Sequence, residues 1–511
     1  MKTATSDIRS DYLSGSPSLR SFYQYSPNNP DFSSIISAKS REDTDRKLLA
    51  AVITDQYKGL PEYELVNHHI RLLSRENTFT VTTGHQLALF GGPLFTTYKV
   101  LSTLRLADDL RQQFPDKNFV PIFWIHTEDH DFEEINHFFP AFNQKITYPG
   151  KFSGAVGEHV LEAEIEGIVP PLFSGEAALA FSSGKTLKDA YRAFIHNLFG
   201  KYGVVMLDAS DPRLKARFRK VMQEEIRSSV AYKEVSRVSA ELVAAGYPEQ
   251  ISPRDINLFY SDSQGRNRII AANGGFDIVD RDLHFTAEEL LELIEEHPEK
   301  ISPNVSLRPL YQEMILPNLA YFGGWGEIGY WMQLKGVFDH FGINFPLILP
   351  RMSATIFRKS EVERWTNLGF RPEDIHKPLH ELFRLYMPQI WDESPFQRLA
   401  ADINHKIAEL KTYIETEVSE TLSRSVEGQK VKMDEFVSNL EKKIHREKRA
   451  VHHRPFSEIE TLKQAIQPDG AVQERILCLA AFPGISPEQI VSAAWDACSP
   501  LDFSHRYLVL D

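Results

Sequence analysis

Residues 79–131 read FTVTTGHQLALFGGPLFTTYKVLSTLRLADDLRQQFPDKNFVPIFWIHTEDHD, and this stretch decides the fold. Its β-branched opening, Phe79-Thr80-Val81-Thr82, predicts a strand. Gly84-His85-Gln86 and Gly91-Gly92-Pro93 follow as a turn-rich link, and a helical pattern then runs from Leu94 to about Gln113 with Pro93 suited to its first turn. Phe119 to Ile125 is apolar without alternation, the texture of a parallel strand covered on both faces. Strand, turn, helix and strand in so short a span make a βαβ unit, so the expected fold class is α/β with a parallel sheet.

Working outward, the first roughly 75 residues read as mostly helical, with an amphipathic stretch from Asp43 to Gln56. Residues 146–250 carry helical patterns around one short strand, Val204 to Leu207, and read as an inserted connective region between core parts at 1–145 and 251–390. After Pro395 apolar residues recur at steps of three or four, from Phe396 through Leu410 to Val426, with charges between. A break is expected at Gly428, and the pattern resumes through Phe436 and Ile444 to Val451. Two long helices with a narrow apolar seam predict an antiparallel coiled-coil arm over 391–455. The segment 456–511 turns globular again, and Arg506 to Leu510 is expected to close as a strand on the core sheet.

Composition narrows the functional classes. The 511 residues are 42% hydrophobic, which suits globular cores, and the length suggests roughly two to four domains. A net charge of −13 disfavours nucleic-acid binding, which needs a basic face. No apolar run approaches the roughly 18 residues that span a bilayer, and the N-terminus lacks the apolar stretch of a signal peptide. The two cysteines, Cys478 and Cys498, offer neither a disulfide framework nor a Cys-based zinc knuckle, so a cytoplasmic setting is expected.

Three clusters are candidates for chemistry. The Gly84-His85 and Gly91-Gly92 turn, with Lys99 inside the following helix, is a candidate phosphate cradle because backbone N–H groups and a helix N-terminus favour an anion. His126-Thr127-Glu128-Asp129-His130-Asp131 lies just past a buried parallel strand, where open α/β sheets bind ligands. There Glu128, Asp129 and Asp131 could hold Mg²⁺ or orient an amine, and His126 and His130 could act as acid, base or oxyanion partner. A zinc reading of His126, His130 and His137 is weaker, since the segment begins in a strand and no HExxH helix is present. The third cluster, Gly323-Gly324-Trp325-Gly326-Glu327-Ile328-Gly329-Tyr330, suits either a substrate-lining turn or plain core packing of Trp325 and Trp331.

Taken in order, several blocks resemble the bacillithiol biosynthesis cysteine-adding enzymes. They are Thr83-Gly84-His85-Gln86, Gly91-Gly92-Pro93-Leu94, Tyr98-Lys99, Phe123-Trp124-Ile125 and Glu128-Asp129-His130-Asp131-Phe132. Ser302-Pro303-Asn304-Val305, Leu307-Arg308-Pro309, Gly326-Glu327-Ile328 with Tyr330-Trp331, Pro350-Arg351 and Gln473-Glu474-Arg475 continue the likeness. The resemblance implies a Rossmann-like core akin to the HIGH-signature nucleotidyltransferases, a connective region, and a dimerising coiled coil. It implies a ligase that joins cysteine to glucosaminyl-malate in the last step to bacillithiol. Arg308, Trp325, Glu327 and Arg351 are then expected at the substrate. Because amide formation from a free carboxylate is uphill in water, ATP with Mg²⁺ is the expected activator. The competing readings are a non-catalytic dimeric scaffold and a metal-dependent hydrolase using the acidic loop.

Overall fold

The computed structural model describes residues 7–511 apart from 151, 153, 174 and 273, with the side chain of 423 also left aside. The chain divides into two compact units, one of residues 1–355 with 474–508, the other of residues 356–473 with 509–511.

The first unit is built on five parallel strands: β1 (Thr78–His85), β2 (Asn118–Ile125), β3 (Val205–Asp208), β4 (Asn318–Gly323) and β5 (Leu347–Pro350). Their order across the sheet is β5-β4-β1-β2-β3. The side chains alternate between two separate cores. Val120, Ile122, Trp124, Val205, Leu207, Tyr321 and Ile348 belong to one, while Phe79, Val81, Phe119, Leu319, Phe322 and Leu347 belong to the other. A sheet covered on both faces selects the near-continuous apolar runs read in the sequence. Helix α1 (Leu94–Gln113) carries the β1-to-β2 crossover and is buried along most of its length.

The segment 146–250 contributes to this sheet directly, because its strand β3 pairs with β2 from Ile122↔Val205 to Ile125↔Asp208. Residues 258–303 add a second, antiparallel sheet that includes Leu258–Asp262, Gly265–Ala272 and Ile301–Pro303. Two helices flank β4: α2 (Arg308–Ile315) before it and α3 (Trp325–Gln333) after it. Arg506–Leu510 is a strand, as expected, but it does not join the core sheet. Its first residue, Arg506, donates its backbone N–H to Ser353 O at 2.8 Å instead.

The second unit contains the helical hairpin, formed by α4 (Ser394–Glu417) and α5 (Glu420–Val451). The expected break at Gly428 is corrected, since Gly428 lies inside α5. The chain turns at Val418 and Ser419, where Val418 leaves helical geometry and the Ser419 side chain caps the Leu422 N–H. A cap satisfies an orphan donor, whereas one exposed glycine inside a long helix costs only about 1 kcal/mol. Among the described residues, no helix is long and apolar enough to cross a membrane.

Candidate functional site

The sheet order reverses direction between β1 and β4, so their carboxyl ends frame a topological switch point. A cavity of ≈ 800 Å³ opens there. β1 delivers Gly84 and His85, the loop after β2 delivers His126 to His130, and α2 and α3 deliver Arg308, Glu327 and Tyr330. The antiparallel sheet closes the far wall with Arg266 and Arg268.

Space is tight for a side chain at position 84. A Cβ there would stand 3.0 Å from His126 Nε2 and 3.1 Å from the Trp124 carbonyl oxygen. His126 therefore packs flush against the end of β1. Its Nε2 is buried and makes no hydrogen bond. Burial first, then Arg308, His85 and Lys99, hold its pKa well below the ordinary histidine value, so the ring is neutral at physiological pH. His85 is depressed to about 3 by burial and the charge of Lys99.

The acidic loop is less of a unit than its sequence suggests. Glu128 Oε1 pairs with Lys215 Nζ at 2.7 Å, and that lysine is fully buried. Asp129 Oδ2 accepts from Gln86 Nε2 at 2.8 Å, and its Oδ1 accepts the His130 backbone N–H at 2.7 Å. Asp131 caps the short helix Phe132–Ile135 by accepting the Glu134 N–H, and it does not line the cavity. No three metal-ligating atoms converge in this loop; among the described residues such a group occurs elsewhere, in the second unit. The loop as arranged does not form a carboxylate cage for Mg²⁺. The zinc reading also fails to gather, because His137 lines a different cavity, of ≈ 360 Å³.

Lys99 reaches the cavity but is spoken for. Its Nζ sits 2.7 Å from Glu327 Oε1 and donates to the Gly84 carbonyl at 2.9 Å. Burial pushes Glu327 up, but Lys99 and the Gly324 N–H outweigh that and hold it below the ordinary carboxylate value. Gly91 and Gly92 lie outside the large cavity. Both have positive φ, and a Cβ on Gly91 would meet Phe194 at 3.0 Å. The first N–H of α1, from Leu94, goes to the Leu477 carbonyl at 2.8 Å, so protein already occupies that helix end. Trp325 packs against the core with Arg9 over its ring at 5.9 Å and does not line the cavity. Arg351 pairs with Glu474 at 2.8 Å and likewise stands outside.

Two groups absent from the sequence-based set, Arg266 and Lys215, belong to the site. Arg266 donates to Ser302 Oγ at 2.9 Å and to the Pro303 carbonyl at 3.1 Å, and its Nη1 lies 3.0 Å from His130 Nδ1. Lys215 anchors Glu128, and Tyr330 lines the wall beside Arg308. The alternation Arg266-Asn267-Arg268 on one strand was the available signal for Arg266; nothing local marks Lys215. Lys99, Arg254, Arg266, Arg268 and Arg308 line the cavity with Glu128, Asp129 and Glu327, so cationic side chains outnumber carboxylates five to three.

Comparison with known proteins decides the family. Residues 1–352 match the bacillithiol biosynthesis BshC N-terminal Rossmann-like domain, and residues 354–510 match the BshC C-terminal coiled-coil domain. The chain belongs to the bacillithiol biosynthesis BshC family. A relative from Flavobacterium psychrophilum is 34% identical over 96% of this chain and 94% of its own. One from Christiangramia forsetii is 34% identical over 98% of this chain and 96% of its own, and one from Cytophaga hutchinsonii is 32% identical over 97% and 94%. Each is named "Putative cysteine ligase BshC", which places this BshC-family chain among the ligases. A solved structure titled "putative arginyl t-RNA synthetase" from Campylobacter jejuni covers 85% of this chain and 98% of that chain, at 9% identity and a TM-score of 0.24, a likeness too slight to bear on the fold.

Proposed function

We propose that this BshC-family chain forms the amide between the carboxyl of L-cysteine and the amine of glucosaminyl-malate, with ATP activating the carboxylate. The observation that carries the reading is the switch-point cavity, whose lining brings His126, a neutral imidazole, together with Arg254, Arg266, Arg268 and Arg308. The malate portion brings carboxylates that suit Arg266, Arg268 and Arg308, since planar guanidinium groups pair with carboxylates in two-pronged fashion. A neutral imidazole at His126 accepts the proton that the attacking amine must lose. His130, steadied by Asp129 and by Arg266, orients rather than ionises: burial and Arg266 lower its pKa.

ATP supplies the leaving group that makes amide formation downhill. The residues that would meet its phosphates are the cationic lining and the Gly84 turn; Gly91, Gly92 and Lys99 are engaged in packing and ion pairing. Mg²⁺ would enter with the nucleotide's phosphates, as it does where one or two carboxylates complete its shell. A homodimer through the coiled coil completes the proposal.

The test uses purified full-length chain with cysteine, glucosaminyl-malate, ATP and Mg²⁺, with the thiol product read by mass spectrometry. We expect product to depend on ATP, and His126→Gln to lower turnover at least about 100-fold with an unchanged melting temperature. Arg266→Lys, which loses the two-pronged geometry, is expected to raise KM for the malate-bearing substrate by about 10-fold or more. Product formation by a folded His126→Gln chain at the native rate sinks the catalytic assignment.

A further inference from the structure

The arm carries a side-chain cluster that amide formation leaves unused. Glu441 and His445 stand one turn apart on α5, and Glu393 immediately precedes α4, at the end of the hairpin opposite the 418–419 turn. One ligand atom from each lies within 4.8 Å of the others. His445 Nε2 is 3.2 Å from Glu393 Oε1, yet this buried nitrogen makes no hydrogen bond. The surroundings are arranged around the cluster. Gln397 Nε2 donates to Glu441 Oε1 at 2.7 Å, and the Trp391 ring meets the His445 ring edge-on at 5.3 Å.

An ordinary ion pair accounts for these facts poorly. The same arm shows what one looks like: His405 and Glu409 stand 3.1 Å apart on the surface, with Lys406 Nζ 2.7 Å from the same carboxylate and no second carboxylate converging. At the Glu393 cluster two carboxylates converge with one imidazole instead, their ligand atoms all within 4.8 Å of one another. A divalent cation neutralises both. The spacing also fits, since ligands at about 2.05 Å from a tetrahedral ion stand about 3.4 Å apart, close to the His445-to-Glu393 separation. One imidazole with two carboxylates suits a borderline ion such as Zn²⁺ better than Mg²⁺ or Ca²⁺, which take oxygen shells. Gln397 would orient the Glu441 carboxylate, as outer partners of metal ligands do.

We propose that Glu393, Glu441 and His445 form a Zn²⁺ site, with water completing the shell, that fixes the register of α4 against α5 at the root of the arm. The full-length chain, stripped of metal with a chelator, is titrated with Zn²⁺ by calorimetry and with Co²⁺ by visible absorption. One saturable site per chain is expected, with Co²⁺ giving the intense bands of a four-coordinate ion. Glu441→Gln, Glu393→Gln and His445→Ala should each weaken binding at least about 10-fold, whereas His405→Ala should leave it unchanged. Circular dichroism separates a lost ligand from a lost fold, because the glutamine variants keep the side-chain shape. Zn²⁺ should raise the melting temperature of the native chain and not that of Glu441→Gln. No saturable Zn²⁺ or Co²⁺ binding by the native chain, or equal weakening by His405→Ala and His445→Ala, overturns the proposal.

Discussion

Lys99 shows how a residue can sit in a site and serve the scaffold. It is buried, it bridges Glu327 and the Gly84 carbonyl, and it thereby ties α1 and α3 to the end of β1. Lys99→Met strands the Glu327 carboxylate and should destabilise the first unit by about 3 kcal/mol, because breaking one half of a buried pair leaves an uncompensated charge. Adding Glu327→Gln removes that charge, so the double variant should recover a large part of the loss in urea unfolding. A phosphate-binding role would instead show as lost nucleotide affinity with stability intact. His69 sets a pH dependence of its own. It is buried with its Nδ1 2.6 Å from the Gly203 carbonyl, and burial lowers its pKa to about 4. The unfolded chain binds its proton near the ordinary value of about 6.5, so this contribution is present above that pH and is lost as pH falls toward 4. The expected loss is on the order of 3 kcal/mol between pH 7 and 4, and His69→Gln should flatten that slope in denaturation curves. At this scale the sequence told part of the story. Gly84, His85 and His126 to His130 announced themselves through density at a strand end. Lys215 did not, and Arg266 did so only through the alternation of its strand, because their partners lie far away along the chain and only tertiary packing brings them together.

At the scale of elements, periodicity carried most of the reading. The β1-α1-β2 unit and the two arm helices were legible because long buried or amphipathic patterns have few alternatives. Punctuation was less legible. Gly428 looked like the hairpin turn, yet Ser419 caps and Val418 bends, and neither residue type stands out in a polar helix. Arg506–Leu510 read as a core strand because its apolar content matches one, while the choice of partner is made by the fold. The Gly91-Gly92 turn is the element most altered in meaning. Both glycines have positive φ, a Cβ on Gly91 would meet Phe194, and Gly92 lines the smaller cavity. Gly91→Ala should therefore destabilise by about 1–2 kcal/mol through backbone strain and the close contact. It should leave the affinity for ATP within about twofold, in line with the measured noise of distant substitutions. A selective loss of nucleotide binding in a fully stable Gly91→Ala chain would restore the phosphate-cradle reading.

At the scale of the whole molecule, the arm exposes more apolar surface than a hairpin alone can bury. Leu399, Leu410, Tyr413, Leu422 and Phe436 are each at least half exposed. Such a stripe on a coiled coil predicts a second chain, so light scattering at micromolar concentration should report a dimer. Leu410→Lys with Phe436→Lys should shift it to monomer while the first unit keeps its melting temperature. The strand order of the central sheet has a consequence for biosynthesis. β1 lies at the middle of the sheet, yet one of its two neighbours, β4, begins only at Asn318. A ribosome adding about 5–20 residues per second releases β1 well before its second edge can be covered, leaving roughly 10–50 s of exposure. During that interval the nascent chain presents an unpaired apolar edge, the kind of surface that recruits other strands. A chain terminated at residue 300 should accordingly collect in inclusion bodies or on chaperones, and slowing translation between 130 and 318 should lower the soluble yield of the complete protein.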